Sequence, residues 1–505
     1  MKTYTPQIMQ KAEQYLFEQK GASPLALMQK AAASVFFAVR SRLRPYDTIA
    51  VLCGKGNNAG DGYEAARLMR KDGKNVICID VLGGEPTVEP ALTCYNAYIA
   101  EGGKVVSDPK TALKKIAFST VIFDAVFGIG FRGVIEKDSF LHKCIDAANL
   151  SGAFRVAVDV PSGVRSADGS VGGIAFAADL TVTVTALKIG MLSYPARFFC
   201  GRTEVVDIGV PPEVLNFYKE ENPGFAPDDD YVAQALPMRP EISNKGDFGK
   251  LACVCGSENM TGAAVLSVGA ALRAGAGLVT LASEKSVIEC VRGIYPEPIY
   301  APLDWKDNGK LISFASSLSK YNTVLIGCGL DKEPIKADFL EMVLQKTSAQ
   351  LVLDADGINM LCPFIDIVRE AKKTPILTPH PGEFSRLSGL DVDYINDNRI
   401  KCAVEFAEKY HCILVLKGAG TVTASPDGRF AVNTTGNPGL AKGGSGDVLA
   451  GLIAGLAANP HISAFDAAVC GVYLHGKAAD RLKETYSEYG LLPSQLAVEV
   501  AKLLP

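Results

Sequence analysis

One stretch decides the fold of this chain: Ile49-Ala50-Val51-Leu52-Cys53-Gly54-Lys55-Gly56-Asn57-Asn58-Ala59-Gly60-Asp61-Gly62. An apolar strand pattern at 49–53 runs into a loop of small and polar residues, and a helical pattern follows to about Gly73. Glycines let backbone amides approach a phosphate, and the helix N-terminus adds a partial positive charge. The stretch therefore predicts the first turn of a parallel α/β sheet, built either for a phosphate-bearing ligand or only as a tight connection.

The same alternation of strand and helix patterns continues outward and then begins again in the second half of the chain. Further strand patterns occur at 76–81, 121–123, 156–160, 250–255, 277–281, 324–326, 351–353, 376–377 and 413–416. The first 44 residues read as helices that precede the sheet. A polar, proline-rich segment places a boundary near residue 225, so we predict tandem α/β domains at 1–220 and 228–505, without internal duplication.

Composition limits the classes of function. A chain of 505 residues is long enough for more than one core, and 48% hydrophobic with 21% charged residues is typical of a globular protein. The net charge of −4 gives no case for nucleic acid. Thirteen scattered cysteines without a Cys-x-x-Cys pair indicate reduced thiols and no zinc site. Residues 1–6 open no apolar run of the signal-peptide type, and no stretch approaches the roughly 18 apolar residues of a membrane span, so we expect a cytoplasmic protein.

Polar residues follow three of the strand patterns in the first half. Asn58, Asp124 and Ser162 offer hard oxygen ligands that could meet at the carboxyl ends of parallel strands and bind an alkali or alkaline-earth cation. The alternative for Asp124 and Asp159 is a simple turn or cap. Asp80 has nearly the spacing of a ribose-binding acid, but it lies inside an apolar run, which disfavours an ordinary dehydrogenase.

The richest stretch of the second half is Asn433 to Leu449. Gly443-Gly444-Ser445-Gly446 lets several amides point at one place, and the helix that follows reinforces them, which predicts an anion hole. Asp447 lies at its mouth, where it could take a proton from a hydroxyl that attacks phosphorus. The alternative is that Asp447 is an ordinary helix N-cap.

Four more turns follow strand or helix patterns and could contact a ligand. They are Met260 to Ala264, Gly327-Cys328-Gly329-Leu330, Thr378-Pro379-His380-Pro381-Gly382-Glu383 and Lys417-Gly418-Ala419-Gly420-Thr421. The last is rich in amides that suit nucleotide phosphates or ribose. For the others a purely backbone role stays open, because glycine and proline often serve only the turn.

Together these motifs resemble one known family, the bifunctional NAD(P)H-hydrate repair enzymes, across nearly the whole chain. The first half resembles the epimerase domain through 54–62, 124–133, 159–163 and Leu187-Lys188-Ile189-Gly190. The second half resembles the ADP-dependent dehydratase domain through His380 to Glu383, Lys417 to Thr421 and Asn437 to Asp447. The resemblance implies a Rossmann-like three-layer domain followed by a ribokinase-like α/β domain.

The resemblance also implies the reaction. One domain would interconvert the R and S hydrates of NADH and NADPH, and the other would dehydrate the S form while ADP becomes AMP and phosphate. Asp447 would be the base of the dehydratase, and Mg²⁺ would accompany the nucleotide. The coenzyme would be contacted by Ala264, Gly329, His380 and Asp447, and ADP by Lys417, Gly418, Ala419, Gly420, Thr421 and Gly446.

For the epimerase the resemblance implies potassium on Asn58, Asp124 and Ser162, with Asp159 as the acid or base. The implied coenzyme contacts are Asn57, Asn58, Ala59, Gly60, Asp61, Gly128, Ile129, Gly130, Phe131, Arg132, Gly133, Val134 and Asp159. Ala59 stands where the family commonly has glycine, and Cys328 where it usually has proline. Epimerisation through ring opening or through reversible loss of hydroxide stays open.

Two other functions fit parts of the sequence. One is a ribokinase-like kinase for a small alcohol such as a vitamin precursor, with an N-terminal Rossmann-like binding domain. The other makes the N-terminal domain a module that recruits a partner. We expect a small-molecule substrate, no nucleic acid or membrane partner, and a homo-oligomer.

Overall fold

The computed structural model describes residues 3–217 and 223–505, which form two compact units. The first unit is Met1–Phe225 and the second Ala226–Pro505. Residue 220, the predicted end of the first domain, lies outside the described residues. Among the helices of the described ranges, none is both long and apolar enough to cross a membrane.

The first unit carries a parallel sheet of seven strands. The strands within the bounds of this unit, in the sheet and outside it, are β1 (Thr3–Tyr4), β2 (Thr48–Cys53), β3 (Asn75–Asp80), β4 (Val105–Val106), β5 (Val121–Ala125), β6 (Phe154–Val158), β7 (Leu180–Val184), β8 (Leu187–Lys188), β9 (Arg202–Val206) and β10 (Gly224–Phe225). The sheet order is β4-β3-β2-β5-β6-β7-β9, and β1 pairs separately with β8. Ile49 pairs with Val76 on one side and Val121 on the other.

Helices cover both faces of this sheet. They are α1 (Pro6–Lys20), α2 (Pro24–Arg40), α3 (Asn57–Lys71), α4 (Ala91–Ala100), α5 (Pro109–Ala117), α6 (Phe140–Leu150), α7 (Ala196–Cys200) and α8 (Pro212–Phe217), with a 3₁₀ helix at Ile189–Leu192. Val51 and Cys53 pack into one core cluster, and Ala50 and Leu52 into the other. Because strand side chains alternate and both faces are buried, β2 is apolar throughout.

Two predicted boundaries in this unit are wrong by a few residues, the start of the helix after the glycine loop and the end of the strand at 156–160. The helix after the glycine loop begins at Asn57 and ends at Lys71, so Asn57 to Asp61 form its first turn. The predicted strand at 156–160 is β6 and ends at Val158, which leaves Asp159 outside the strand. Short propensity signals place element ends only to within a few residues. Both corrections put polar side chains at the strand ends, where ligands bind.

The second unit has nine strands in one sheet. They are β11 (Lys250–Val254), β12 (Leu278–Ser283), β13 (Ile299–Pro302), β14 (Thr323–Ile326), β15 (Gln350–Leu353), β16 (Ile376–Leu377), β17 (Ile413–Leu416), β18 (Val422–Ala424) and β19 (Phe430–Val432). Their order is β19-β18-β17-β16-β15-β14-β11-β12-β13. Only β18 runs antiparallel to its neighbours β17 and β19.

The helices of the second unit are α9 (Asp229–Ala235), α10 (Thr261–Arg273), α11 (Lys285–Arg292), α12 (Asn308–Ser317), α13 (Pro334–Lys346), α14 (Asp356–Leu361), α15 (Pro381–Ser388), α16 (Val392–Asp397), α17 (Arg399–Tyr410), α18 (Ser445–Ala458), α19 (Ala464–Gly490) and α20 (Pro493–Val500). Short 3₁₀ helices lie at Leu318–Lys320, Cys362–Glu370 and Pro438–Leu440. Almost all of α18 is buried, which explains its nearly uniform apolar sequence. The prediction of two α/β units is confirmed.

In both sheets the order of the strands reverses at one place. In the first unit this switch point lies between β2 and β5, and in the second between β11 and β14. Connections on the two sides of a switch point leave in opposite directions and open a crevice at the carboxyl ends of the strands. Each candidate site is therefore expected at the carboxyl ends of the strands beside the switch point of its sheet.

Candidate active sites

A cavity of about 960 Å³ opens at the switch point of the first unit. Its wall combines the turn after β2, the loop after β5, Asp159 after β6 and one face of α1. The predicted epimerase residues that line it are Asn57, Asn58, Asp61, Gly128, Ile129, Gly130, Phe131, Arg132, Gly133, Val134 and Asp159. The structure thus brings together in one cavity residues that lie far apart in the sequence.

Two predicted contacts and one rejected candidate lie elsewhere. Ala59 and Gly60 are buried in the first turn of α3 and do not belong to the cavity wall. A Cβ at Gly60 would come within 2.8 Å of the Ala91 Cα, so close helix packing accounts for that glycine. Asp80 accepts hydrogen bonds from the backbone N–H groups of Leu82 and Gly83, at 3.1 and 2.8 Å. Asp80 therefore holds its own loop.

Asp159 forms a buried ion pair with Lys188. The Lys188 ammonium donates to Asp159 Oδ1 and also to Thr183 Oγ1 and the Val184 carbonyl, both at 2.9 Å. Lys188 is 2% exposed, yet it borders the cavity. Asp159 adopts a left-handed backbone conformation (φ 67°), which is rare for residues other than glycine and recurs at functional sites. The pair gives the cavity a charged end.

Sequence reasoning missed the role of Lys188. The lysine was part of the quoted stretch Leu187-Lys188-Ile189-Gly190, but nothing in that stretch indicates burial beside a carboxylate. Pairing of β8 with β1 fixes its position, and β1 lies at the far end of the sequence. A lysine in an otherwise apolar strand pattern was the available signal.

The proposed cation ligands converge around the backbone of Phe127. Ser162 donates to the Asp124 carboxylate through both its Oγ and its N–H, at 2.6 Å each. The Phe127 N–H donates to Ser162 Oγ at 3.0 Å, and Asn58 Nδ2 donates to the Phe127 carbonyl at 2.8 Å. Burial raises the pKa of Asp124 to about 6, although the bonds from Ser162 and the Val126 N–H lower it. Asp124 is fully buried.

In the second unit, Asp447 directly follows the glycine turn formed by Gly443 to Gly446. Gly444 (φ 99°) is the N-cap of α18, and Asp447 lies in the first turn of that helix. The alternative that Asp447 is the N-cap itself is therefore excluded. Burial and the charge of Asp354 raise the pKa of Asp447 to about 6, while Lys417 and Cys328 lower it. A carboxylate with a pKa near 6 can accept a proton at neutral pH.

Lys417 is the cation of this site. Its Nζ lies 2.6 Å from Asp354 Oδ1 and 3.8 Å from Glu383 Oε2. Burial lowers the pKa of Lys417, but Asp354 and Glu383 outweigh it and the pKa is raised. A Cβ built on Gly446 would lie 3.5 Å from the ammonium. A positive charge thus lies just beneath the glycine turn, where a phosphoryl group would bind.

Asp354 is a second residue that sequence reasoning missed. It is 1% exposed, follows β15, and accepts hydrogen bonds from Lys417 and from Thr378 Oγ1 at 2.7 Å. The rule that singled out Asp124 and Asp159, a carboxylate directly after a strand, applies equally to Asp354. That signal was present in Leu351-Val352-Leu353-Asp354.

The turn at Lys417 to Thr421 is closed by its own side chain and supported from below. Thr421 Oγ1 donates to the Gly418 carbonyl at 2.8 Å. Arg399, 3% exposed, donates through Nη2 to the carbonyls of Leu416 and Lys417, at 2.8 and 3.0 Å. Gly418 and Ala419 are exposed, so a ligand can approach the turn from solvent, and the Gly418 N–H donates to Thr421 Oγ1 at 3.3 Å. Arg399 was not among the predicted residues.

The predicted coenzyme contacts of this unit differ in accessibility. His380 is half exposed, and its Nδ1 accepts hydrogen bonds from the N–H groups of Gly382 and Glu383 at the start of α15. Burial lowers the pKa of His380. Ala264 and Gly329 are buried, and a Cβ at Gly329 would come within 2.7 Å of the Ala263 Cβ. Close packing on α10 requires glycine at 329.

The Cys328 thiol lies close to the carboxylates of Asp354 and Asp447. Ligand atoms of Cys328, Asp354 and Asp447 all lie within 4.8 Å of one another. The Cys328 thiol is fully buried, and its pKa is raised by the neighbouring Cys255 thiol, by burial and by the two carboxylates. A protonated thiol is a poor nucleophile and a poor ligand for hard cations. Cys328 therefore serves here as a weak hydrogen-bond donor.

Two family models match the chain, one in each unit. The model described as YjeF-related protein N-terminus matches residues 24–190, and the model described as NAD(P)H-hydrate dehydratase matches residues 251–502. Together with the observed sheets, these matches confirm the predicted fold class of a Rossmann-like unit followed by a ribokinase-like unit.

Curated relatives cover nearly the whole chain. The bifunctional NAD(P)H-hydrate repair enzyme Nnr of Coxiella burnetii is 35% identical over 95% of this chain and 94% of its own length. The enzyme of the same name from Escherichia coli is 32% identical over 94% of this chain and 88% of its own. A solved structure of the ADP/ATP-dependent NAD(P)H-hydrate dehydratase of Bacillus subtilis, co-crystallised with ATP/Mg²⁺, is 32% identical; it covers 55% of this chain and 96% of that one, with a TM-score of 0.48.

Proposed function

Because the chain belongs to the family of bifunctional NAD(P)H-hydrate repair enzymes, we propose that its two units act in succession on one damaged coenzyme. The first unit interconverts the R and S hydrates of NADH and NADPH. The second removes water from the S hydrate while ADP is converted to AMP and phosphate. One observation carries the proposal: the chain holds two groups of buried charges of different make-up, a cavity with the Asp159–Lys188 ion pair and a glycine turn beside Asp447 and the Lys417–Asp354 ion pair.

In the dehydratase, Asp447 takes the proton of the substrate hydroxyl, whose oxygen attacks the terminal phosphorus of ADP and displaces AMP. Amides of the turn around Gly446 and the ammonium of Lys417 stabilise the charge on the phosphoryl group. Hydroxide is a poor leaving group, but the phosphate ester is a good one. Phosphate then leaves the ring, a ring proton is lost, and the coenzyme is restored.

ADP binding is assigned to the turn at Lys417 to Thr421 and to Gly446. Support comes from the exposure of Gly418 and Ala419 and from Arg399, which donates to the carbonyls of Leu416 and Lys417. Mg²⁺ is expected with the nucleotide. Asp354 is already bonded to Lys417 and Thr378, so a Mg²⁺ held mainly by phosphate oxygens and water fits this donor set better than one held by the protein. His380, Ala264 and Gly329 are assigned to the coenzyme.

In the epimerase, Asp159 is assigned as an acid or base next to the hydroxyl of the hydrate, with the Lys188 ammonium holding its carboxylate in place. The coenzyme would lie along the loop from Gly128 to Val134 and the first turn of α3, because both border the cavity. Arg132 is exposed on that loop and can meet a phosphate of the coenzyme.

A potassium ion fits the group formed by Asn58, Asp124 and Ser162. The Asp124 carboxylate is fully buried, and its bonds come from neutral donors, so a nearby monovalent cation would compensate its charge. Asn58 uses its amide nitrogen on the Phe127 carbonyl, which leaves the amide oxygen as a ligand. When bound, the ion supplies positive charge beneath the loop that carries Gly128.

The function is tested by incubating the full chain with S-hydrated NADH and ADP while following the recovery of NADH absorbance. Recovery should require ADP, and AMP and phosphate should form in equal amounts. R-hydrated NADH should be repaired by the same chain. Phosphoryl transfer to a stable alcohol without recovery of NADH would instead identify a kinase.

Three expectations go with this proposal. We propose that the domains end and begin near residues 220 and 228, that the protein forms a homo-oligomer, and that it acts in the cytoplasm on a small molecule. Light scattering of the full chain measures the oligomer, and a single species of about 53.5 kDa would contradict it.

A further inference from the structure

The N-terminal helix α1 forms one wall of the epimerase cavity. The residues of α1 that border the cavity are Met9, Gln10, Glu13 and Phe17, which recur at helical spacing and so share one stripe of the helix. An adjoining stripe, including Ile8, Ala12 and Leu16, is buried in the core. The matched epimerase family model begins only at residue 24, so this helix lies outside the matched residues.

Backbone pairing ties α1 to Lys188. β1, which directly precedes α1, pairs in parallel with β8, and Tyr4 is the partner of Lys188 in this register. Val184, which bonds to both members of the Asp159–Lys188 pair, packs against the same core cluster as Ile8 and Leu16. The position of α1 relative to Lys188 is thus fixed by hydrogen bonds and by packing.

Glu13 is the one carboxylate of the cavity-facing stripe. It is half-buried, and the charges of Asp159 and Lys188 both act on it. Burial and the charge of Asp159 together raise the pKa of Glu13 to about 7, against a lowering by Lys188. Burial, Asp159 and Glu13 likewise raise the pKa of Asp61. The other charged residues that border the cavity are Lys55, Glu89 and Arg132.

Epimerisation by loss of hydroxide needs one proton-exchanging group at each face of the ring. In the route by loss of hydroxide, an acid protonates the hydroxyl and the C–O bond breaks, leaving water and a ring cation. Water then adds to the opposite face of that cation while a base takes the released proton. A single carboxylate held by a lysine can serve only one of these faces at a time, so a second group on another element is required.

We propose that Glu13 is a catalytic residue of the epimerase, acting from α1 as the partner of Asp159 at the opposite face of the hydrated ring. In one direction the Glu13 carboxylic acid gives its proton to the leaving hydroxyl, and the Asp159 carboxylate takes a proton from the water that adds. In the other direction the roles are exchanged. Solvent returns both groups to their starting states, so no other reactant is consumed. This inference rests on the proposed epimerase function.

The test uses the full chain and three variants, Glu13→Gln, Glu13→Asp and Glu18→Gln. Glu18 is an exposed glutamate of the same helix, so its substitution is the matched control. The R-to-S rate is measured with R-hydrated NADH over a range of pH, and turnover of S-hydrated NADH with ADP serves as the internal standard. Spontaneous epimerisation is subtracted.

We expect Glu13→Gln to lower kcat for R-to-S conversion by about 10² or more, with KM changed only a few-fold. Glu13→Asp should recover part of that rate, and Glu18→Gln should equal the wild type. The wild-type rate should fall as the pH rises through about 7, because the acid form of Glu13 is then lost. This limb should shift in Glu13→Asp and disappear in Glu13→Gln.

A wild-type kcat and an unchanged pH limb in Glu13→Gln would overturn the assignment. Equal losses of R-to-S rate and of thermal stability in Glu13→Gln and Glu13→Asp, with the wild-type pH limb kept in both, would show a structural role and overturn it as well. If the wild type itself did not convert the R hydrate, the proposed epimerase function would fail, which is a different outcome.

Discussion

The two sites of this chain obtain their charges in different ways. In the proposed dehydratase centre, the backbone amides of the glycine turn and of the start of α18 supply partial positive charge. The side chains of Lys417, Asp354 and Asp447 add the full charges. The epimerase cavity uses side chains from separate elements, including Glu13 on α1, Asp61 on α3, Asp159 after β6 and Lys188 on β8. A site for phosphoryl transfer needs oriented dipoles, whereas a site for proton exchange needs titratable groups of different affinity.

The largest expected effect is that of Asp447→Asn, which should lower dehydration and leave epimerisation unchanged. This change keeps the shape of the base but removes its ability to take a proton, so the dehydration rate should fall by about 10⁴-fold. R-to-S conversion should stay at its wild-type value. The measurement is ADP-dependent recovery of NADH from the S hydrate. Asp393→Asn, at another first-turn aspartate, is the control, and equal losses in the two variants would contradict the role of Asp447.

The reverse separation is expected from Asp159→Asn, with a loss of about 10³-fold in R-to-S conversion and unchanged dehydration of the S hydrate. Asp138 also has a left-handed backbone (φ 63°) and is exposed, so Asp138→Asn controls for the substitution at such a position. The two hydrates are separated by chromatography to follow the rate. Undiminished epimerisation would remove Asp159 from the mechanism.

Lys417→Gln tests the cation of the dehydratase centre. We expect a loss of about 10²-fold in kcat because the phosphoryl group loses a nearby positive charge. Asp354 would also be left buried without its partner, which should lower the free energy of unfolding by about 3–5 kcal/mol. Thermal unfolding is measured in parallel, with the exposed Lys401→Gln as control. Wild-type turnover would show that the amides alone suffice.

The pH dependence of dehydration follows from Asp447. Its pKa is raised to about 6, and only the deprotonated form accepts the hydroxyl proton. The rate should therefore be constant above this pH and fall about tenfold per unit below it. Because the Cys328 thiol lowers that pKa, Cys328→Ala should move the limb to higher pH, and Cys328→Ser should move it less. An unmoved limb in both would contradict the contact.

The smallest effect is expected from potassium. At ten times its dissociation constant the ion should stabilise the full chain by about 1.4 kcal/mol, seen as a higher Tm in potassium than in a large organic cation. In Asp124→Asn the buried charge is absent and the dependence should vanish. A potassium effect of the same size in both proteins would place the ion elsewhere.

The same contrast explains which residues could be found from the sequence. Gly443 to Asp447 and Lys417 to Thr421 are contiguous, and local chemistry makes such stretches visible without a fold. Asp354 was predictable by the strand-end rule but was not singled out. Glu13 and Lys188 gave weak signals, since an acid in an amphipathic helix is usually solvated and a lysine in a short strand usually lies at an edge.

The sequence by itself determined the α/β alternation, the glycine turns and the polar strand ends, because these depend on backbone sterics and on side-chain periodicity over a few residues. Only the tertiary structure decided that Asp159 is paired with Lys188, that Lys417 joins Asp354 and Glu383, and that α1 closes the cavity with Glu13. These contacts join residues far apart in the chain, and the raised pKa values of Glu13 and Lys417 depend on burial and on neighbouring charges, which no local pattern specifies.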